Sequence, residues 1–187
     1  MPVNNMSAKI NLGTTDNCIG RIGGNIPEVL KYLDTEIESH LFYMTFQNPT
    51  GNNHISIFVP KDFNVMLESN IYPKCSIKVF MHPESFESLE HSYTIQEITK
   101  SGLSKFSVVD PSKFDFITIL SNPAHIQDER YYFDRLETDG YEFLLQIDEE
   151  YYPDGLLSGN YVFGFGRLYL YKHKKSGRII AGYWQYS

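Results

Sequence analysis

The chain has 187 residues, 42% hydrophobic and 21% charged, values of an ordinary globular protein that exclude disorder over most of the length. Its formal net charge of −7 argues against general nucleic-acid binding, which needs clustered Lys and Arg to displace counterions from phosphates. Two distant cysteines, Cys18 and Cys75, an N-terminus without an apolar signal segment, and no run near the roughly 20 apolar residues of a membrane helix point to a reduced, cytoplasmic chain with no membrane span.

Fourteen Tyr and thirteen Phe against one Trp favour pleated, half-buried surfaces, so the composition leans towards sheet. Residues Met1 to Asp16 are polar and read as a loose arm or an edge segment. Gly23 and Gly24 then permit a turn, Pro27 opens a helical turn, and a short helix is predicted over Glu28 to Leu33. His40 to Phe46 and Ile55 to Val59 flank the turn residues Asn48 to Asn53 and predict a hairpin. Lys61 to Glu68 has helical character. Ser76 to Phe80 alternates as a strand, Ser85 to Glu90 looks like one helical turn behind a serine cap, and His91 to Ile98 alternates again before Ser101-Gly102 closes it.

Asp110-Pro111 and Ser121-Asn122-Pro123 punctuate the next stretch, Phe114 to Leu120. From there the order of elements repeats: a polar, helix-like Gln127 to Leu136, an apolar strand Tyr141 to Ile147, a loop, and a strand Arg167 to Tyr171. The last hairpin turns through the basic Lys172 to Arg178 and returns as Ile179 to Tyr186. We therefore expect a single domain over 1–187 with an internal duplication of about 19–100 and 115–187, held together by one core.

Three stretches carry a family resemblance: Ser121-Asn122-Pro123-Ala124-His125-Ile126-Gln127, Tyr141 to Asp148 (YEFLLQID), and Gly164 to Tyr171 (GFGRLYLY). On these, with Ile22, Gly23, Gly24, Pro27 and Leu41 to Phe46, the chain resembles the YwqG-like family of bacterial proteins. The resemblance implies an α+β fold of predominantly antiparallel sheets with a few short helices, in two related halves. Relatives of that family stand beside polymorphic toxins as immunity proteins, which implies a cognate toxin as partner; the acidic surface of this chain suits a basic one.

Between Asp128 and Asp154 lie ten carboxylates and two arginines. Within this run Asp148, Glu149, Glu150, Tyr151, Tyr152 and Asp154 combine charge with aromatic anchors, and they are the predicted partner-binding residues of a monomeric protein. Gln127 and Gln146 have two readings: each pairs with backbone, or both line a ligand cleft between the halves of a small-molecule-binding or housekeeping domain. Three consecutive carboxylates form a solvated loop more often than an acid–base pair, so a hydrolase is a third reading only. The six histidines show no zinc spacing, and no nucleophile elbow, Walker loop or dinucleotide fingerprint occurs. We expect no catalytic residues, metal or cofactor.

Overall fold

Runs of aromatic and β-branched residues become strands wherever a partner strand takes up their backbone groups. The computed structural model describes residues 4–187 and shows β1 (Asn5–Ala8), β2 (Ile10–Asn11), β3 (Gly20–Ile22), β4 (His40–Gln47), β5 (His54–Pro60) and β6 (Lys78–His82) in the first half. Then follow β7 (Ser101–Leu103), β8 (Ser107–Val109), β9 (Ile117–Ile119), β10 (Tyr141–Asp148), β11 (Gly166–His173) and β12 (Ile179–Tyr186). Three short α-helices, α1 (Asp34–Ile37), α2 (Phe63–Glu68) and α3 (Asp134–Thr138), join them, with a 3-10 turn over Glu28–Leu33 running into α1 and another over Arg130–Tyr132 preceding α3.

The fold is α+β, with two antiparallel six-stranded sheets in the orders β2-β7-β3-β4-β5-β6 and β12-β11-β10-β9-β1-β8. In each, a short strand, a helical segment and three successive antiparallel strands follow one another, and a strand from the other part of the chain flanks the short one. β4 and β10 each carry a bulge, after Phe42 and after Phe143. A bulge turns the side chains on either side of it to opposite faces. Phe42 thus packs outward with Ile26, Leu30 and Ile37 under the first helical segment, and Phe143 outward against Tyr169 and Tyr171 under α3. Met44 and Phe46 of one sheet meet Leu145, Ile147, Leu168 and Trp184 of the other in a shared central core.

Three local readings change. The stretch read as a loose arm or an edge divides: Asn5–Ala8 form β1 inside the second sheet between β8 and β9, Ile10–Asn11 form β2 at the edge of the first sheet, and Met1 to Val3 lie outside the described residues. Ser85 to Glu90 is extended rather than helical, because its backbone pairs with the segment around Pro27. His91 to Ile98 forms turns; Tyr93, Ile95 and Ile98 are buried without a ladder. No helix among the described residues is long and apolar enough to cross a membrane.

Candidate functional site

Strand β10 ends at Asp148, from where the chain must cover seventeen residues before β11 begins. Backbone N–H groups in such a loop have no ladder and need other acceptors. The two carboxylates at the strand end supply them. Asp148 caps the 3-10 turn Glu149–Tyr151 by accepting from Glu150 N at 3.0 Å. It also stands opposite Arg167 in the ladder and accepts from Nε at 2.6 Å and Nη2 at 2.5 Å. Burial lifts its carboxyl above the usual range, against the pull of Arg167 and the Glu150 amide.

Glu149 reaches further. Its Oε1 accepts from Phe163 N and its Oε2 from Gly166 N, each at 3.0 Å, so one side chain fastens both sides of the Gly164-Phe165 turn. The Tyr152 hydroxyl donates to Oε1 at 3.4 Å, and the Tyr43 hydroxyl lies 2.6 Å from that of Tyr152. Burial pushes the Glu149 carboxyl up to about 7, opposed by the amides of Gly166, Phe163 and Val162.

This placement corrects the predicted partner surface. Asp148 and Glu149 are only 2% and 1% exposed, because their carboxyl oxygens turn inward to accept from the loop's own amides and from Arg167. Tyr151 and Tyr152 are half-buried and packed on the central core. Glu150 and Asp154 alone of the six remain exposed.

The two glutamines are also separated from the predicted cleft. Leu145 and Ile147 face the central core, so alternation turns Gln146 to the outer face of the second sheet. There its Oε1 accepts from Ala124 N at 3.0 Å, and its Nε2 has no partner among the described residues. Gln127 is exposed and accepts from the Tyr132 hydroxyl at 2.7 Å. Both amides hold the segment 122–127, and no hydrogen bond between them is present among the described residues.

A third amide, Gln185, escaped the sequence reading although it too interrupts an apolar strand. Fully buried, it accepts from Ile126 N at 2.9 Å and Gln127 N at 3.1 Å, and donates from Nε2 to Gln127 O at 2.7 Å. Gln185→Leu leaves these groups without partners. Each such loss costs about 1 to 3 kcal/mol, so rapid amide exchange at Ile126 and Gln127 and a stability loss of about 3 kcal/mol are expected. Unchanged exchange there would show that the amide holds nothing.

Beyond its exposed polar residues, the end of the loop also presents an apolar surface. A groove of about 540 Å³ runs between α2 and residues 160–165, lined by Leu41, Val59, Met66 and Val162 and rimmed by Phe63, Tyr161 and Phe165. Tyr161 and Phe165 meet edge to face at 5.0 Å. Compared with protein families, curated proteins and solved structures, the chain matches none. Among the described residues no group of three or more His, Cys, Asp or Glu is placed to hold a metal ion.

Phe165 has a left-handed backbone, φ 61°, and a ring 44% exposed. A bulky residue held there costs about 1 to 2 kcal/mol, which the covered half of the side chain roughly offsets. The turn thereby fixes the ring's direction and leaves its outer half in solvent at the groove mouth.

Proposed function

We propose that this chain is an immunity protein: it binds a cognate bacterial toxin domain and blocks the toxin's active site or the approach of its substrate. Phe165 is the observation that carries this reading. Its strained backbone fixes an aromatic ring beside Tyr161 and Phe63 at the mouth of an apolar groove, the arrangement of anchor residues at tight interfaces. Glu150 and Asp154 add exposed carboxylates on the same loop, and the net charge of −7 suits a basic toxin, since complementary charge speeds encounter. The family resemblance supplies the toxin context. In this reading the protein acts in the cytoplasm as a monomer, and the buried Asp148 and Glu149 fix the shape of the loop rather than touching the toxin.

Co-expression with the product of the adjacent upstream gene tests the function, scoring survival and co-purification. Phe165→Asn tests the site, because Asn tolerates left-handed backbone without the ring. Stability is expected to hold or rise by up to about 1 kcal/mol, while toxin affinity falls about 100-fold, as at an interface hot spot. Unchanged protection and affinity in this variant would remove Phe165 from the interface. Failure of both survival and co-purification in the wild type would remove the function.

A further inference from the structure

Among the described residues, the most exposed apolar side chains lie elsewhere, on two segments that pair with each other. The 3-10 turn Glu28–Leu33 repeats every three residues, so its side chains divide into ridges. Leu30 and Leu33 face the cluster around Phe42, and Val29 and Tyr32, three apart, form the ridge that faces away, 40% and 89% exposed. Against this turn runs the extended segment 84–90. Glu28 N donates to Phe86 O at 2.8 Å and Ser88 N to Ile26 O at 2.9 Å, and Pro27 pairs with Glu87. Val29 N donates to the Ser85 hydroxyl at 3.1 Å. Ser88 is buried, whereas Phe86 and Leu89 stand 90% and 88% in solvent.

These side chains are held out by a backbone that is itself hydrogen-bonded, so they are displayed rather than loose. With the backbone already ordered, docking at Val29, Tyr32, Phe86 and Leu89 costs side-chain entropy but little backbone entropy. The polar groups around it are mostly acidic: Glu28, Glu84, Glu87 and Glu90 against Lys31 and Lys100. Both lysines are already engaged, Lys31 by Glu28 at 2.7 Å and Lys100 by Glu87 at 2.9 Å. Glu84 and Glu90 have no ion-pair partner among the described residues.

We infer that this end of the molecule is a second docking surface, separate from the groove, and that its partner is a basic protein surface offering apolar recesses to Tyr32, Phe86 and Leu89. An apolar centre inside a charged rim is the anatomy of a protein interface. The sign of the rim chooses between occupants: a second copy of this chain would bring like charge to like charge, and a Lys- or Arg-rich partner brings the complement. The surface shares no residue with the groove and stands whether or not the toxin reading does.

The test uses the full chain and two synthetic helical peptides of one pattern, one of leucine and lysine, the other of leucine and glutamate, followed by fluorescence anisotropy. The cationic peptide is expected to bind saturably and more weakly as salt rises, and the anionic one not to bind. The double variant Phe86→Ser with Leu89→Ser should weaken binding about tenfold or more without lowering the melting temperature, because neither side chain packs in the core. Glu84→Lys with Glu90→Lys should weaken it and flatten its salt dependence. Phe165→Asn should leave it unchanged, which keeps this result distinct from that at the groove. No binding, equal binding of both peptides, or binding indifferent to Phe86→Ser with Leu89→Ser would overturn the inference. So would a wild-type dimer in sedimentation that this double variant dissociates, since the occupant would then be a second copy.

Discussion

Glu149→Ala is expected to lower the stability of the fold by about 3 kcal/mol at pH 6, a fall of about 6 to 12 °C in melting temperature. The side chain touches neither solvent nor partner, yet its removal leaves Phe163 N and Gly166 N buried without acceptors. Glu149→Gln separates shape from charge. One amide oxygen can still accept, but the amide nitrogen then faces a backbone N–H, donor against donor. The pH dependence has a definite sign. Burial raises the folded-state carboxyl from 4.5 to about 7, so the folded protein binds the proton more tightly than the unfolded chain. The stability this contributes is complete below about pH 4.5 and is lost as pH rises through about 7. The advantage of the wild type over Glu149→Gln should therefore shrink by on the order of 3 kcal/mol across that window and stay level above it. Chemical denaturation of both proteins from pH 4 to pH 9 measures this, and histidine contributions common to the two cancel in the difference. A gap that widened with pH would mean that the carboxylate, not the acid, is the form the fold prefers.

Trp184→Ala should cost about 4 kcal/mol, in the range for deleting a fully buried large aromatic. Trp184 lies in β12 of the second sheet, but its indole donates to Met66 O at 3.2 Å, in the helix that follows the first sheet's β5. Its ring meets Phe163 at 5.7 Å and Phe63 at 6.0 Å. One side chain thus joins α2, the end of the 148–166 loop and the last strand, and the void left by its deletion would border all three. The melting temperature should fall by about 8 to 16 °C, and the groove rim should loosen with it, because Phe63 loses its support. A loss below about 1 kcal/mol would mean that the groove wall collapses to fill the space.

Antiparallel pairing between neighbouring segments was the most readable feature of this chain. The hairpins β4-β5 and β11-β12 show in local alternation and turn residues, because everything that specifies them lies within about twenty residues. β1 could not be read that way. Its Asn5 and Ser7 are buried polar residues, Asn5 donating to Pro111 O and Lys113 O, and its two partner strands lie about a hundred residues away. The same limit hid the nature of the acidic loop. In sequence, Asp148-Glu149-Glu150 has the pattern of a solvated run. What buries the first two is Arg167 and the amides of Phe163 and Gly166, fourteen to nineteen residues on. Nothing local distinguishes Glu149 from Glu150. The aromatic residues that follow the run divide: Phe163 goes to the core, while Tyr161 and Phe165 stay at the groove mouth. Phe86 and Leu89 were missed because a serine and a glutamate nearby suggested a helical turn, whereas the extended pairing with the Pro27 segment displays them.

The most direct test of this account is the affinity of the purified chain for the product of the adjacent upstream gene, measured by titration calorimetry for the wild type, Phe165→Asn and Tyr161→Ser. The expected result is a 1:1 complex of nanomolar affinity, about −12 kcal/mol, that both substitutions weaken by about 100-fold, with the melting temperature holding in Phe165→Asn. Absence of a complex, or a complex of the same affinity in all three proteins, would contradict the claim that the groove mouth neutralises a toxin.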